Sequence, residues 1–106
     1  MCNAVREVQQ KVAKAADKLG LHANAPTLTL ALLSEMGRLS DEVLAATANG
    51  RRPFRPTEGW EQRLADLAFT VINLADQTGV DLSAALDGTI ARHEANAKPV
   101  DDLPGW

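Results

Sequence analysis

Apolar residues recur every three or four positions in four segments of the chain, which is the spacing of amphipathic helices. No segment shows the strict alternation of a half-buried strand. The pattern therefore predicts an all-α bundle of four to five helices. The four apolar stripes consist of Val5, Val8, Val12, Ala15 and Leu19; Leu28, Leu32, Met36, Leu39 and Val43; Trp60, Leu64, Leu67, Val71 and Leu74; and Leu82, Leu86 and Ile90.

Start and stop signals divide these segments. Pro26 suits the first turn of the second helix, and Thr57 and Asp81 are plausible N-caps of the third and fourth. The residues expected to end the first three helices are Gly20, Asn49-Gly50 and Gly79. We expect residues 1–98 to form one helical domain and residues 99–106, with two prolines and a glycine, an irregular tail.

Size, charge and cysteine content narrow the class of protein. A domain of 106 residues buries a modest core, so we expect it to complete that core by homo-oligomerisation. A net charge of −3 argues against an extensive nucleic-acid surface. No apolar run approaches the roughly 20 residues of a membrane span. A single cysteine, Cys2, allows no internal disulfide, which indicates a cytoplasmic protein.

The second and third helices each carry a polar face beside the apolar stripe. In the second helix Glu35, Arg38 and Glu42 share one face, because they lie three or four residues apart. In the third helix the shared face holds Arg63, Asp66, Thr70 and Asn73. If the apolar stripes pack the two helices antiparallel, these polar faces approach each other along one edge.

The residues on these faces resemble a known family. Leu33-Ser34-Glu35-Met36-Gly37-Arg38-Leu39 resembles the first motif, E-E-x-x-E, of the MazG-like all-α nucleoside triphosphate pyrophosphohydrolases, and Arg63-Leu64-Ala65-Asp66 resembles their second motif, E-x-x-D. The segment 74–82 is similar to the family's helix end and restart. Arg92 and Asn96 resemble a late K-x-x-x-N element that contacts phosphate. The resemblance covers residues 27–97 and implies a MazG-like fold.

In that family, four motif carboxylates bind Mg²⁺, which positions a nucleoside triphosphate for water attack between its α and β phosphorus atoms. This sequence keeps two of them, Glu35 and Asp66, which are therefore the candidate catalytic and metal-binding residues. The two motifs together contain five carboxylate positions, and the three that this sequence does not keep are occupied by Ser34, Arg38 and Arg63. We hypothesise that Arg38 with Asp66, or Arg63 with Glu35, forms ion pairs that replace the metal. In the alternative, Glu35, Asp41 and Glu42 rebuild a shifted metal site.

The connection between the second and third helices is a second candidate site. Arg51, Arg52 and Arg55 surround Phe54, a combination that suits a phosphate or the face of a base. A solvated, proline-stiffened connector is the alternative interpretation. Arg92, Asn96 and Lys98 could add phosphate contacts.

Three functions follow from these features. The first is a non-catalytic protein of the MazG-like fold that serves as a structural, regulatory or nucleotide- or phosphate-binding protein and needs no cofactor. The second is an active pyrophosphohydrolase that uses Mg²⁺ in a rearranged site. The third is a helical protein–protein interaction module. For a MazG-like protein we expect a homodimer or a dimer of dimers, with an isologous contact through the second and third helices.

Overall fold

The computed structural model describes residues 3–21 and 23–97. These residues form four helices and no strand: α1 Asn3–Leu19, α2 Ala25–Ala46, α3 Glu58–Gln77 and α4 Leu82–Ala95. The all-α prediction is confirmed, with the lower of the two expected helix numbers. No helix among the described residues is both long and apolar enough to cross a membrane.

Local chemistry explains where the helices begin. Asn24 caps α2 by accepting a hydrogen bond from the Thr27 amide at 2.9 Å. Asp81 caps α4 in the same way, through the Ala84 amide at 3.3 Å. Thr57 is the N-cap of α3, but its side chain makes no capping hydrogen bond. Its hydroxyl is used elsewhere, in a contact that shapes the candidate site.

Residues with left-handed backbone follow three of the helices. Gly20 and Gly79 have φ values of 68° and 72°, a conformation that glycine adopts without a steric penalty. After α2, three consecutive residues, Ala48, Asn49 and Gly50, have φ values of 51°, 61° and 87°. This turn reverses the chain toward the connection that contains the arginines.

The helices pack in pairs, with α2 and α1 against α3 and α4 against α1. The buried apolar residues of the described chain are few: Val12, Ala16, Leu28 and Ala75. The radius of gyration is 16.7 Å, whereas a compact chain of this length has about 13 Å. The bundle is therefore open, and much apolar surface remains uncovered.

Several residues predicted to face the core are in fact exposed. Ile90 is 54% and Leu86 40% exposed on α4, and Leu64 and Val71 on α3 are 46% and 39% exposed. Met36 on α2 is 49% exposed. The inner-face prediction is wrong for these positions because each helix contacts too few neighbours within one chain to cover its whole stripe.

Candidate functional site: the α2–α3 seam

The seam between α2 and α3 brings together the polar faces predicted from sequence. Two hydrogen bonds fix its antiparallel register. Thr57 lies opposite Glu42 near the end of α2, and Thr70 lies opposite Glu35 closer to its middle. This register determines which of the predicted partners can meet.

Glu35 lies at the buried part of the seam. Its Oε2 accepts a hydrogen bond from the Thr70 hydroxyl at 2.9 Å, and Thr70 is only 7% exposed. Its other oxygen, Oε1, is buried and has no hydrogen-bond partner among the described residues. A buried acceptor without a donor costs about 1–3 kcal/mol, so this carboxylate weakens the fold.

Asn73 lies one turn beyond Thr70 on α3 and is 2% exposed. Its Nδ2 donates to the Leu21 carbonyl at 3.3 Å, a bond that ties α3 to the start of the α1–α2 connection. Its Oδ1 is buried and, within the described chain, lacks a donor. Exchanging the two amide atoms would set oxygen against the Leu21 carbonyl, so the observed orientation is the favourable one.

Glu42 lies at the outer end of the seam, where both of its oxygens have partners. Oε1 accepts from the Thr57 hydroxyl at 2.6 Å, and Oε2 lies 3.8 Å from Nε of Arg63. The carboxylate also rests on the first turn of α3, since a Cβ added at Gly59 would lie 2.7–2.8 Å from its atoms. A negative charge at the start of a helix is favoured by the helix dipole.

The predicted ion pairs differ from those in the structure. Arg63 pairs with Glu42 instead of Glu35, because the register sets Glu35 opposite Thr70, two turns farther along α3. Within the described residues, no salt bridge joins Arg38 to Asp66, and both side chains are exposed. Arg63 therefore does connect the two helices, but through Glu42, a carboxylate that the sequence analysis assigned to the alternative, shifted metal site.

The donor set along the seam does not suit a magnesium ion. In the described ranges no group of three or more His, Cys, Asp or Glu side chains could hold a metal. Glu35 contributes one open oxygen, Glu42 is engaged by Thr57 and Arg63, and Asp41 and Asp66 are exposed. Mg²⁺ requires near-octahedral oxygen ligands, and Arg63 adds a fixed positive charge beside them.

The arginine connection forms a pocket next to the outer end of the seam. We call it the arginine pocket; it has a volume of about 420 Å³ and is lined by Ala45, Ala46, Arg52, Pro53, Arg55 and Thr57. Arg51 is exposed and does not line it. Phe54 packs edge-to-face against Trp60, with ring centroids 5.1 Å apart, so its ring is held by the fold.

The late phosphate candidates lie elsewhere. Arg92 is in the last turn of α4 and Asn96 is the C-cap, where its amide donates to the Arg92 carbonyl. Both are exposed and neither lines the arginine pocket. Lys98 falls outside the described residues.

A second cavity, which the sequence interpretation missed, lies beside α1. It measures about 570 Å³ and is lined by Arg6, Gln9, Gln10, Ala13, Lys14, Asp76 and Asp81. Arg6 bonds Asp81 at 2.9 Å and, with the Ala84 amide, lowers the pKa of that carboxyl. Gln9 donates to the Val80 carbonyl and accepts from the Leu82 amide, which joins α1 to the start of α4. The sequence pattern that could have indicated this cavity is the recurrence of polar residues at three- and four-residue steps along α1.

Comparison with models of protein families, with curated proteins and with solved structures finds no match for this chain. The function must therefore be inferred from the chemistry of the seam and of the arginine pocket.

Proposed function

We propose that this chain is a MazG-like helical protein that does no metal-dependent chemistry and binds a phosphate-bearing ligand, such as a nucleotide, in the arginine pocket. The observation that carries the proposal is that Arg52 and Arg55 line the same concave site, at the outer end of the seam. Guanidinium groups match the geometry of phosphate oxygens and remain charged at every physiological pH.

The state of the seam supports a role without catalysis. Glu42 and Arg63 link α2 to α3 directly, and this contact joins two helices that a shared metal ion could otherwise hold together. The Thr57 hydroxyl donates a hydrogen bond to the Glu42 carboxylate, and the positive charge of Arg63 lies 3.8 Å from its other oxygen. Nothing in this arrangement needs a divalent ion for stability.

The binding test uses pyrophosphate and ATP as probes in the presence of a chelator, with affinity measured by calorimetry. We expect binding by the native chain and a loss of at least about tenfold in Arg52→Ala and in Arg55→Ala, since each removes one charge-assisted contact. Arg51→Ala is the matched control, because Arg51 belongs to the same loop but not to the pocket. Equal losses in all three variants, or no binding by the native chain, would refute the proposed site.

The absence of catalysis is tested separately. We expect no release of pyrophosphate from nucleoside triphosphates with Mg²⁺ or Mn²⁺. The triple variant Ser34→Glu, Arg38→Glu and Arg63→Glu restores the carboxylates of the family motif and should gain Mg²⁺ binding. Failure of that variant to bind Mg²⁺, although it remains folded, would count against the MazG-like assignment.

One observation favours the second candidate, an active Mg²⁺-dependent pyrophosphohydrolase with a rearranged site. The open Oε1 of Glu35 is a carboxylate oxygen without a protein partner in the described part of the chain. Metal-dependent hydrolysis that Glu35→Gln abolishes would establish this candidate over the first.

The surface of α2 favours self-association, and we propose that the protein works as a homodimer. Leu30 and Leu33 are 68% and 72% exposed on a helix whose other side packs on α3. Exposed leucines in contiguous rows are characteristic of interaction surfaces. The same surface is what a helical interaction module would use, with a partner other than itself.

A further inference from the structure

The turn that ends α2, residues 47–50, contains a chemically labile pair. Asn49 and Gly50 are adjacent in the chain, and both are exposed to solvent. The backbone nitrogen that follows an asparagine can attack Cγ of its side chain and form a cyclic imide. Most residues hinder this approach with their own side chain, but glycine has none. A Cβ added at Gly50 would find no atom within 4 Å, so no neighbouring residue crowds this position.

The reaction at this pair exchanges an amide for a carboxylate. The Gly50 nitrogen forms a bond to Cγ of Asn49 and gives up its proton, and the side-chain nitrogen leaves with that proton as ammonia. Water then adds to one of the two carbonyl carbons of the imide and breaks the bond from that carbon to the ring nitrogen. Opening at Cγ gives aspartate. Opening at the main-chain carbonyl gives isoaspartate, in which the main chain runs through Cβ and Cγ.

The folded turn restrains the attacking nitrogen. The Gly50 amide donates to the Thr47 hydroxyl oxygen at 3.0 Å, and that hydroxyl donates to the Val43 carbonyl at 2.7 Å. The Asn49 amide donates to the Leu44 carbonyl at 2.8 Å, so the backbone is bonded on both sides of the asparagine side chain. Thr47 is only 8% exposed. Because the nitrogen must lose its proton and turn toward Cγ, the bond between Gly50 and Thr47 has to break before it can attack.

The same turn holds backbone strain that favours its opening. Ala48 and Asn49 have φ values of 51° and 61°, and this left-handed conformation is unfavourable for alanine in particular. We propose that Asn49 is a site of spontaneous deamidation and that the Thr47 hydroxyl controls its rate, because it keeps the Gly50 amide bonded until the turn opens.

Deamidation at this position alters the neighbouring arginine connection. The amides of Arg51 and Arg52 both donate to the Thr47 carbonyl, at 2.8 and 2.9 Å. Isoaspartate adds a carbon atom to the main chain just before these amides, so the bonds cannot all keep their register. Aspartate keeps the register but places a carboxylate two residues before Arg51. Either product should weaken anion binding in the arginine pocket. This effect rests on the proposed function, whereas the modification itself does not.

The experiment follows deamidation of the full chain at fixed pH and temperature by peptide mass spectrometry. Incubation in isotope-labelled water marks only the carboxylates that form during that time. In the native chain we expect slow modification of Asn49. Asn96 is also exposed but is followed by Ala97, so it should remain intact over the same period. Unfolding in urea should raise the rate at Asn49, since it removes the bond between Gly50 and Thr47.

Variants at position 47 test the role of the hydroxyl. Thr47→Val keeps the branched shape and should raise the rate at Asn49 about two- to tenfold, the range expected for the loss of one hydrogen bond. Thr47→Ser retains the hydroxyl and should keep the native rate.

Thr78→Val is the matched control for these variants. Thr78 is the C-cap of α3 as Thr47 is of α2, and its hydroxyl donates to the Leu74 carbonyl at 2.9 Å. This change removes an equivalent bond at the end of another helix, so it should leave the rate at Asn49 unchanged. Circular dichroism verifies that every variant remains folded.

The outcomes separate the parts of the proposal. An unmodified Asn49 in the urea-unfolded chain overturns the site. Equal rates in the native and unfolded chains, or in Thr47→Val and the native chain, overturn control by the turn. If Thr47→Val does not fold, a raised rate in Thr47→Ser has the same meaning.

The effect on binding is measured by calorimetry with pyrophosphate. Asn49→Asp reproduces one product and should bind pyrophosphate less tightly than the native chain. The deamidation rates are measured without ligand. A native chain that does not bind pyrophosphate would therefore refute the proposed function and leave the result at Asn49 unaffected.

Discussion

The two ends of the α2–α3 seam use the same residue type in opposite ways. At the outer end, both oxygens of Glu42 have partners, and Thr57, Gly59 and Arg63 fit around the carboxylate. At the inner end, Glu35 has one partner, Thr70, and leaves Oε1 buried without a donor. The outer glutamate therefore stabilises the hairpin, whereas the inner one costs stability.

The difference teaches that burial alone does not make a polar contact stabilising. Asn73 resembles Glu35 in this respect. It is 2% exposed, its Nδ2 makes one hydrogen bond, and its buried Oδ1 has no donor within the described chain. Water near the outer end can hydrogen-bond to polar atoms that have no protein partner, whereas the buried polar atoms of the inner end are out of its reach. The same substitution at the two glutamates should consequently have different effects on the free energy of unfolding.

The largest effect is expected at the inner end, from Asn73→Ala. This change leaves the Leu21 carbonyl without its donor and opens a cavity in the centre of the bundle, which together cost about 2–3 kcal/mol. Urea unfolding followed by circular dichroism measures the loss. Asp66→Ala, on the same helix but exposed, is the control and should stay within about 0.5 kcal/mol of the native chain. A similar small change for Asn73→Ala would break the contrast between buried and exposed polar groups.

A matched substitution at the two glutamates tests the difference directly. Glu42→Gln removes the charge that faces Arg63 and the start of α3, and should lower the free energy of unfolding by about 0.5–1 kcal/mol. Glu35→Gln keeps an acceptor for Thr70 and replaces the unpaired carboxylate oxygen, so it should leave stability unchanged or raise it by up to about 1 kcal/mol. The same unfolding assay compares both. Equal losses at the two positions would contradict the comparison.

Gly59→Ala tests whether the Glu42 carboxylate packs against the first turn of α3. The new Cβ would displace the Glu42 carboxylate from Thr57 and Arg63, so we expect a loss of about 0.5 kcal/mol in the native background. In a Glu42→Ala background nothing is displaced, and the better helix propensity of alanine should make the same change stabilising by up to about 1 kcal/mol. A double-mutant cycle measures the reversal. The same sign in both backgrounds would show that Glu42 does not rest on Gly59.

The smallest effect concerns an exposed pair outside the seam, which shows what an ion pair contributes without burial. Arg6 lowers the pKa of Asp81, and the Ala84 amide lowers it further. The charged form is therefore favoured in the folded state. Its contribution is complete above the ordinary pKa of 3.8 and is lost as the pH falls through the lower folded value.

Asp81→Asn retains the capping oxygen and removes only the charge, so it should reduce the acid sensitivity of unfolding within that pH range and change little at neutral pH. An NMR titration of Asp81 gives the folded pKa. A value at or above 3.8 would contradict the role assigned to Arg6.

The sequence predicts the helices well and the contacts between them poorly. Periodicity and caps located all four helices, and Pro26 and Asp81 stand at helix starts as expected. The pairing of Arg63 with Glu42 could not be predicted, because spacing within one helix does not determine the register against another. Burial at Leu64 and Ile90 was overestimated for a related reason: a stripe shows that a helix has an apolar face, but not whether the same chain covers it.

The turn after α2 has a consequence for how the arginines are presented. The Thr47 carbonyl accepts hydrogen bonds from the amides of both Arg51 and Arg52, and its hydroxyl accepts one from Gly50. Pro53 and Pro56 then fix φ on either side of Arg55. Few backbone torsions of this loop therefore remain free, and the loop is preorganised for an anion. The entropic cost of ordering the chain on binding should be small.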